Sequence, residues 1–493
     1  MPKTQVVPPK LQGRVEAFAT RHAFRRSENP SGFCLHSWRR FVAGLFVVCS
    51  PFLLGLAALA ASIEPQIVNG TPTVDYPSVA AFLFYDDVAH TQPAGLCSAT
   101  LIGCHTVLTA AHCVCDFDDA ATCASQGLID PATLQVYLPY AGFFDVVSTA
   151  IDPAYQFAVG GDAAIMTLAK DVTGIQASTL NTVGRPVIGT RASIVGFGLT
   201  DNQRSVPDDS GINRVGMVTT TSCTDGIPDD AHLCWQFTGV DSNTCEGDSG
   251  GPMFVDFGSG PLLAGITSGG ETNSCLPVDN DYDTDVFVHR AWIEQQAGTD
   301  LGMSCGNLAA VGSSAVQVTA FNDSITSAVP GITESFNVPA GTQVLRVTLN
   351  GQAGSGVRPD RVSNDFDLYV RKGAAPTVAQ FDCKSSTPTT FEACELPNPT
   401  AGTWFARVVA VQGIGTLQLT ATSFPIATKP TCVGDCHGDG EVTIDDLILG
   451  VSIALEDTPL TACPVFDADG SGSVSVDELI TGVNNALAMC PSA

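Results

Sequence analysis

The stretch DSNTCEGDSGGP, residues 241–252, places Ser249 between an aspartate and two glycines. A serine hydroxyl is a weak nucleophile at neutral pH. A hydrolase built on one needs an adjacent base, a carboxylate that orients the base, and N–H donors for the oxyanion. The stretch therefore raises the question of whether Ser249 is such a nucleophile, and its partners must come from elsewhere in the chain.

Three upstream segments supply candidate partners. His112 in LTAAHC (108–113) is the candidate base. Asp162 in GGDAAIMTLA (160–169) is the candidate orienting carboxylate, and it begins an apolar run that would bury it. The motif IVNG occupies residues 67–70. A packed histidine or a turn carboxylate explains each residue alone, but four motifs in this order favour a common catalytic site.

Over residues 67–300 these motifs resemble the trypsin/chymotrypsin family of serine endopeptidases. The resemblance implies that Ser249 attacks the scissile carbonyl, that His112 carries the proton, and that Asp162 holds the histidine tautomer. It also implies that the backbone N–H groups of Gly247 and Ser249 form the oxyanion hole. Gly247 suits that role because no side chain blocks the peptide turn.

The same resemblance implies an activation switch. Cleavage before Ile67 frees an amine that inserts and pairs with Asp248. Because a buried carboxylate without a partner is costly, cleavage and assembly of the site become coupled. The activating cut would follow Gln66, where a trypsin-like enzyme does not cut, so we expect a different protease to activate the chain. Residues 62–66 are then a short activation peptide.

The resemblance assigns the specificity pocket less clearly. Asn243 aligns with the floor of the primary pocket, where trypsins carry an aspartate, so a strict Lys/Arg preference is not implied. Ser268 and Gly270 look like the strand that pairs with the substrate backbone, and Gly269 replaces the family's usual tryptophan. Asp285 aligns with a family glycine on the facing wall, where some relatives carry an acid. A solvated loop acid is the alternative for Asp285.

The cysteines indicate an exported protein. The chain has 18 of them, and an even number remains when Cys34 and Cys49 of the N-terminal head are set aside, which is typical of disulfide-bonded secreted proteins. The resemblance implies three bridges: Cys97–Cys113, Cys223–Cys234 and Cys245–Cys275. Two further candidate pairs are Cys115–Cys123 and Cys104–Cys305.

Residues 1–61 are predicted to be a secretory signal peptide. Eight of the 22 basic residues lie in 1–40 and precede the apolar run FVAGLFVVCSPFLLGLAALAA (41–61). A retained membrane anchor is the alternative, since the run is long enough to span a bilayer. The net charge is −28 although the head is basic, so the remainder repels nucleic acid and anionic membranes. We therefore expect an extracellular protein with no nucleic-acid partner and no membrane association after signal removal.

The strand pattern predicts an all-β chain. Short β-rich runs alternate with turns through 67–300, which favours a barrel, and the resemblance makes it a double β-barrel. A small-residue linker is predicted at 301–318 and a β-sandwich at 319–426. The segments DLYVRKG and AGTWFARV of this second domain resemble the bacterial pre-peptidase C-terminal domain.

That second resemblance implies a role in secretion, maturation or adhesion to substrate, and a bridge between Cys383 and Cys394. Asp365 and Asp367 are candidate calcium ligands in the sandwich, and a polar turn is the alternative.

Residues 431–493 contain an internal repeat, GDCHGDGEVTIDDLILGVSIAL and FDADGSGSVSVDELITGVNNAL, with the spacing of calcium loops. The candidate ligands of the first loop are Asp435, Asp439, the carbonyl of Glu441, Thr443 and Asp446. Those of the second are Asp467, Asp469, Ser471, the carbonyl of Ser473, Ser475 and Glu478. His437 takes the third position of the first loop and is a poor calcium ligand, so this site is expected to be the weaker.

One helix follows each loop, so the module looks like a small α-helical dockerin rather than a full EF-hand. It would dock to a cohesin-like partner, and a calcium-stabilised tail without a partner is the alternative. Four cysteines are expected to stabilise the module through disulfides, but the sequence does not show which of them pair: Cys432, Cys436, Cys463 and Cys490.

Together these features predict a secreted, multi-modular serine endopeptidase that cuts protein or peptide substrates. It is expected to need no cofactor for catalysis and to bind Ca²⁺ in its terminal module. The alternative is a catalytically inactive scaffold or adhesin that keeps a protease fold for binding.

Overall fold

The structure is a computed structural model. It describes residues 67–201, 208–224, 226–272, 275–303, 305–354, 363–426, 432–437, 441–455, 457–468, 472–488 and 490. The predicted signal peptide (1–61) and activation peptide (62–66) lie outside the described residues. Within the described ranges, no helix is both long enough and apolar enough to cross a membrane.

Thirteen strands lie in the N-terminal half of the described chain. They are β1 (Thr71–Pro72), β2 (Val79–Tyr85), β3 (Pro93–Leu101), β4 (Thr106–Thr109), β5 (Leu134–Leu138), β6 (Gly142–Ile151), β7 (Ala164–Leu168), β8 (Arg191–Gly196), β9 (Arg214–Thr221), β10 (His232–Phe237), β11 (Pro252–Asp256), β12 (Pro261–Gly270) and β13 (Asp279–Asp285).

Two antiparallel barrels form from these strands. The first closes in the order β2-β3-β4-β7-β6-β5. The second runs β9-β10-β13-β12-β11-β8, closes through β8 pairing with β9, and carries the short β1 on β9. Each barrel has its own apolar interior, around Phe82 and Tyr137 in the first and around Trp235 and Met253 in the second. The chain is mostly β, as the sequence predicts.

Two helices accompany the barrels. The helix α1 (Ala120–Gln126) begins at Asp119, whose carboxylate accepts a hydrogen bond from the backbone of Thr122, the usual device for satisfying a first-turn donor. The helix α2 (Val286–Ala297) follows β13 directly and is capped by Asp285. It buries Ile293 completely.

The segment after α2, predicted to be a linker, is anchored to the first barrel. Asp300 accepts hydrogen bonds from the backbone of Cys104 at 2.9 Å and from the hydroxyl of Thr106 at 2.6 Å. Cys305 forms a disulfide with Cys104. The segment is therefore held against the protein surface, because a carboxylate and a covalent bridge both fix it to the turn before β4.

A β-sandwich follows. Its strands are β14 (Gln317–Ile325), β15 (Gly331–Val338), β16 (Val344–Gly351), β17 (Asp365–Lys372), β18 (Cys383–Ser385), β19 (Glu392–Pro397), β20 (Gly402–Gln412) and β21 (Gly415–Phe424). They form two four-stranded antiparallel sheets, β14-β21-β16-β19 and β15-β20-β17-β18. Alternate residues of both sheets, among them Leu345 and Phe366, share one apolar core.

Two helices close the described chain, α3 (Ile444–Ala454) and α4 (Val476–Ala488). The fully buried ring of Phe466 lies between them. A Cβ at Gly450 would lie 2.4 Å from this ring and one at Gly482 would lie 2.8 Å from it, so each helix needs a glycine where it meets the aromatic side chain. The capping box of Thr443 and Asp446 starts α3.

Eight disulfides cross-link the described residues. They are Cys97–Cys113, Cys104–Cys305, Cys115–Cys123, Cys223–Cys234, Cys245–Cys275, Cys383–Cys394, Cys432–Cys490 and Cys436–Cys463. The last two resolve the pairing that the sequence left open in the terminal module. Such bridges stabilise a fold chiefly by restricting the unfolded chain.

Candidate active site

The two antiparallel strands β4 and β7 bring His112 and Asp162 together. His112 lies in the single helical turn after β4, and Asp162 lies just before β7. The ring Nδ1 of His112 is 2.7 Å from one carboxylate oxygen of Asp162, and the backbone N–H of His112 donates to the other at 3.0 Å. Because Asp162 accepts at Nδ1, the Nδ1–H tautomer is favoured and Nε2 is left to act as a base.

Asp162 is fully buried and has a further donor. The hydroxyl of Ser268, on β12, donates to it at 2.6 Å. Burial raises the pKa of the Asp162 carboxyl, but the charge of His112 and these hydrogen bonds outweigh burial and hold that pKa below its usual value. Burial lowers the pKa of His112, but the adjacent Asp162 carboxylate outweighs it and raises that pKa. The pair is therefore built to stabilise a protonated imidazole.

Ser249 lies on a tight turn packed against the histidine segment. Gly247 and Gly250, on either side of Asp248 and Ser249, have φ angles of 95° and 80°. A Cβ on Gly250 would lie 2.1 Å from the hydroxyl of Thr109, three residues before His112. The carbonyl of Ser249 accepts from the backbone of Ser98 at 2.8 Å. The glycines therefore allow the serine turn to approach the end of β4.

An aromatic residue that the sequence did not single out lies beside His112. The ring of Phe157 meets the imidazole edge-on, with centroids 5.5 Å apart. Phe157 also approaches Gly269, where an added Cβ would lie 3.5 Å from its ring and 2.9 Å from the hydroxyl of Tyr282. These two rings occupy space beside the glycine that replaces the usual tryptophan. No local sequence motif marks either residue.

Asn243 is fully buried at the base of the serine segment. Its side-chain oxygen accepts from the indole N–H of Trp235 at 2.9 Å, and its backbone N–H donates to the carbonyl of Val68 at 3.0 Å. The amide is thus held in one orientation, with its oxygen turned to the indole.

The structure places Asp285 apart from Ser268 and Gly270, the other residues predicted for the specificity pocket. Asp285 is fully buried, pairs with the Nε of Arg185 at 2.6 Å, and accepts from the backbone of Phe287 at 2.9 Å to cap α2. In the sheet it lies opposite Gly265, not opposite the Ser268–Gly270 segment. Its carboxylate serves an internal ion pair and a helix cap.

A different aspartate of β13, Asp281, lies next to Gly270. It is opposite Gly270 in the β12–β13 ladder, and a Cβ on Gly270 would lie 3.0 Å from its carboxylate. The hydroxyl of Thr244, next to Asn243, donates to it at 3.0 Å. Burial, and then the charge of Asp279, raise the pKa of Asp281 to about 8.

The sequence leaves the choice among these aspartates open for a simple reason. Asp279, Asp281, Asp283 and Asp285 alternate along β13, and all four are buried. Strand periodicity is two, so each aspartate presents the same face, and the sequence pattern does not distinguish their positions along the strand.

The predicted activation residues lie in the second barrel. Asp248 is buried, and it accepts from the backbone N–H groups of Gly198 at 2.8 Å and Cys245 at 2.9 Å. Burial is the main reason that the pKa of its carboxyl rises to about 7. Ile67 is completely buried, and a Cβ on Gly216 would lie 3.1 Å from its side chain.

The predicted calcium residues are described in part. Asp439, Asp469 and Ser471 lie outside the described residues. Asp435, Asp446 and Glu478 are buried. In the second loop, Gly472 donates its N–H to Asp467 at 2.9 Å, and Ser475 donates both N–H and hydroxyl to Glu478.

The first loop is arranged differently from the second. The ring Nδ1 of His437 lies 2.8 Å from the carboxylate of Asp446. The histidine at the third position of the loop, a poor calcium ligand, therefore pairs with the carboxylate at the twelfth position. Two further residues predicted in this loop precede α3: Thr443 caps the helix, and Glu441 lies two residues before Thr443. Ser473 lies in the second loop.

Comparison with known proteins agrees with this geometry. Residues 67–293 match the Trypsin family model. Brachyurin of Leptuca pugilator is 32% identical over 243 residues, which cover 47% of this chain and 99% of brachyurin. The chain belongs to the trypsin family.

The trypsin-family relationship extends to other proteases. Fibrinolytic enzyme isozyme C of Lumbricus rubellus is 28% identical, with 40% of this chain and 86% of the relative covered. The cercarial protease of Schistosoma mansoni is 30% identical, with 49% of this chain and 91% of the relative covered. The two six-stranded barrels fit the trypsin-like fold, and the protein is a serine endopeptidase. Trypsin-family proteases need no cofactor for catalysis and act on protein substrates.

A second family covers part of the sandwich. Residues 333–410 match the model of the Bacterial pre-peptidase C-terminal domain. This match confirms the resemblance seen in the strand segments around Leu368 and Trp404. The trypsin-family protease is therefore joined to a domain of a different family.

Proposed function

We propose that this serine endopeptidase hydrolyses peptide bonds through His112, Asp162 and Ser249. The observation that carries the proposal is the pairing of His112 Nδ1 with the buried Asp162 at 2.7 Å, beside the Ser249 turn. The hydroxyl of Ser268 donates to the same carboxylate oxygen of Asp162 that contacts His112 Nδ1. This arrangement leaves His112 Nε2 to serve the nucleophile.

The reaction proceeds in two halves. Ser249 Oγ attacks the scissile carbonyl carbon while Nε2 of His112 takes the hydroxyl proton. His112 then gives that proton to the leaving amine, the C–N bond breaks, and an acyl-serine remains. A water, deprotonated by the same nitrogen, attacks the acyl carbon; the proton returns to Ser249 as the acid leaves. The carboxylate of Asp162 stabilises the imidazolium in each half.

The backbone N–H groups of Gly247 and Ser249 stabilise the carbonyl oxygen as it becomes negative. The φ of 95° at Gly247 supports this role, since a residue with a Cβ disfavours that backbone conformation. A Cβ at this position would also lie 2.9 Å from the Cα of Gly198.

The chain is made as a zymogen that another protease activates by cutting between Gln66 and Ile67. Asp248 supports this step because it is buried with two backbone donors and a raised pKa, so an added ammonium group would stabilise its charged form. Val68 and Asn243 pair through their backbones, which links the new N-terminus to the pocket.

Asp281, rather than Asp285, is the acid of the specificity pocket. It lies among Asn243, Thr244 and Gly270, and a lysine or arginine side chain of the substrate would offset the cost of ionising it. The enzyme therefore accepts basic side chains before the cut. Because burial favours the neutral form of Asp281 when no cation is bound, apolar side chains are accepted as well.

The terminal module, residues 431–493, is a dockerin-like calcium module. Asp467, Ser473, Ser475 and Glu478 would hold Ca²⁺ in the second loop. The N–H of Gly472 on Asp467 supports this fit, since it points a carboxylate at the loop interior. The bound ion would neutralise the loop carboxylates and join the two ends of the loop. His437 paired with Asp446 makes the first loop the weaker site.

Export and docking complete the proposal. Signal peptide 1–61 directs secretion, and the disulfides form in the oxidising environment outside the cell. The terminal module then binds a cohesin-like partner. The alternative is that this module only stabilises the C-terminal tail. The units are the protease (67–300), the anchored segment 301–318, the sandwich (319–426) and the terminal module. A catalytically inactive scaffold or adhesin is not favoured.

Covalent labelling tests the proposed triad. A fluorophosphonate probe should label the protein that begins at Ile67, and the Ser249→Ala variant should not react. The matched control is Ser148→Ala, which removes an exposed hydroxyl on β6 and leaves the serine turn untouched. Failure of the correctly folded mature protein to react would support the scaffold instead.

A further inference from the structure

One face of the β-sandwich is polar and yet buried. Strands β16 and β21 alternate between apolar residues of the sandwich core, such as Val347 and Leu419, and residues of the opposite face. An antiparallel sheet that covers a core on one face commonly exposes polar residues to water on the other. Here the polar residues of that other face are all buried: Arg346, Thr348, Asn350, Gln418, Thr420 and Thr422. Another part of the chain therefore covers this face.

Arg346 joins this face to the protease. Its two terminal nitrogens donate to Thr173, one to the carbonyl at 2.6 Å and the other to the hydroxyl at 2.8 Å. The guanidinium carbon lies 5.0 Å from the ring centroid of Phe424, which belongs to the apolar cluster of the first barrel. A Cβ on Gly174 would lie 2.6 Å from the same ring. Because buried polar groups are costly without hydrogen-bond partners, these contacts make the protease the partner of the polar face.

Gln418 binds the segment that follows the proposed activation cut. Its side-chain nitrogen donates to the carbonyl of Thr73 at 3.1 Å, and its side-chain oxygen accepts from the backbone N–H of Asn213 at 2.8 Å. Thr73 in turn donates its own N–H to the carbonyl of Asn213 at 2.9 Å. The side chain of Asn350 donates to the Gln418 oxygen at 2.8 Å and fixes the orientation of the amide. One buried side chain of the sandwich thus holds two segments of the protease together.

Thr348 holds the same segment through an intermediate residue. Its hydroxyl accepts from the backbone N–H of Tyr140 at 3.1 Å. The hydroxyl of Tyr140 donates to the carbonyl of Val74. The sandwich therefore fixes two consecutive residues of the chain that begins at Ile67, one directly and one through Tyr140.

The segment that contains Asn213 also leads to Asp248. Arg214 is completely buried, and its guanidinium donates to the carbonyl of Gly198 at 3.0 Å. The N–H of Gly198 donates to the carboxylate of Asp248 at 2.8 Å. A continuous series of contacts therefore runs from Gln418 to the carboxylate that would receive the new N-terminus.

The proposed activation step is an equilibrium between a free and an inserted N-terminus. Contacts that fix Thr73, Val74 and Asn213 reduce the conformational freedom that insertion would otherwise remove. They therefore favour the inserted state over the free one.

We propose that the β-sandwich is an intramolecular clamp that holds the residues after Ile67, together with Asn213 and Arg214, in the arrangement in which the new N-terminus pairs with Asp248. Gln418 is the main positioning residue of this clamp. The inference rests on the proposed function, because it takes the cut before Ile67 as the activating step. It gives the pre-peptidase C-terminal domain a direct part in activation of the protease.

Substitution of Gln418 tests the clamp. Gln418→Leu keeps most of the side-chain volume and removes the hydrogen bonds to Thr73 and Asn213. The matched control is Val408→Ala, on β20 of the other sheet, which weakens the sandwich core and leaves the contacts with the protease in place. All proteins are the full chain after the Gln66–Ile67 cut.

Carbamoylation of the Ile67 α-amine by cyanate reports insertion, because an amine held in a buried ion pair is protected from the reagent. At pH 8, mass spectrometry should show carbamoylation about fivefold or more faster in Gln418→Leu than in the wild type. The kcat/KM for a peptidyl nitroanilide should fall by about fivefold or more. Val408→Ala should stay within about twofold of the wild type in both measurements.

A second variant covers the case in which Gln418→Leu does not fold. Thr348→Val keeps the shape of the side chain and removes the acceptor for Tyr140, so it should shift both measurements in the same direction by about twofold or more. Unchanged carbamoylation in the folded variants, or an equal increase in Val408→Ala, would overturn the clamp. Carbamoylation of the wild type as fast as that of Asp248→Asn would instead overturn the proposed activation switch.

Discussion

The carboxylate of Asp281 lies 3.0 Å from the hydroxyl of Thr244, on the segment that leads to Ser249. This contact joins β13 to the serine segment and puts an acid beside Asn243. In the proposed assignment, the specificity pocket therefore has an acid even though its floor residue is a neutral amide. Burial makes the ionised form of Asp281 unfavourable and raises the pKa of its carboxyl to about 8.

Replacing the two candidate acids should separate their roles. Asp281→Asn should lower kcat/KM for lysine and arginine substrates about tenfold or more, and spare apolar ones, because it removes a charge that only a cationic side chain uses. Asp285→Asn should leave this preference unchanged. It should destabilise the fold by about 2 kcal/mol, since it breaks the pair with Arg185. Kinetics on a panel of substrates measure the preference of both variants, and thermal unfolding measures their stability. Loss of the preference for basic side chains in Asp285→Asn alone would contradict the assignment of Asp281 to the pocket.

The preference for basic side chains should increase with pH. The ionised form of Asp281 predominates only above its pKa of about 8, and a cationic side chain binds that form. The ratio of kcat/KM for a lysine substrate to that for a phenylalanine substrate should therefore rise between pH 6 and pH 9. Taking the ratio cancels the titration of His112. A flat ratio in wild type, or the same slope in Asp281→Asn, would show that Asp281 does not titrate in the pocket.

Activation should depend on one peptide bond. A Gln66→Pro, Ile67→Pro variant resists cleavage at that bond and should remain inert, because no ammonium group reaches Asp248. Asp248→Asn should be inactive even after the cut, since the amide cannot form the ion pair. The measurement is nitroanilide hydrolysis alongside N-terminal sequencing. Full activity of the uncut chain would exclude zymogen control.

Calcium removal should affect the terminal module alone. Chelation should remove the protection of α3 and α4 in hydrogen exchange, because the ion that joins the two ends of each loop is then lost. Exchange in the barrels should not change. Glu478→Gln should weaken binding more than His437→Asp, which supplies the missing carboxylate and is expected to strengthen it. Equal protection with and without chelator would exclude a structural calcium site.

The site could be predicted from sequence where short motifs carry the geometry. His112, Asp162 and the Ser249 turn each belong to a local pattern, and antiparallel pairing of β4 with β7 brings the first two together. Asp285 could not be placed, because alternating aspartates leave the register of β13 open. Phe157 and Tyr282 carry no motif and are recognised only by their contacts with Gly269.

The same contrast holds for the fold. Alternating apolar residues predicted the barrels and the sandwich, since strand period is a local property. The contact between the protease and the sandwich was not predicted, because Phe391 meets Tyr137 across more than 200 residues of sequence through complementary surfaces. The segment at 301–318 has the composition of a linker, but Asp300 and the Cys104–Cys305 bridge fix it to the barrel.

The most direct test of the central claim is the turnover of a peptidyl nitroanilide by the mature chain and by Ser249→Ala. Both proteins should have the same circular dichroism spectrum and the same N-terminus at Ile67. The account predicts that kcat falls by about 10⁴-fold or more, because the nucleophile and its proton acceptor act as one unit. A kcat for Ser249→Ala within tenfold of the wild type would contradict the assignment of Ser249 as the nucleophile.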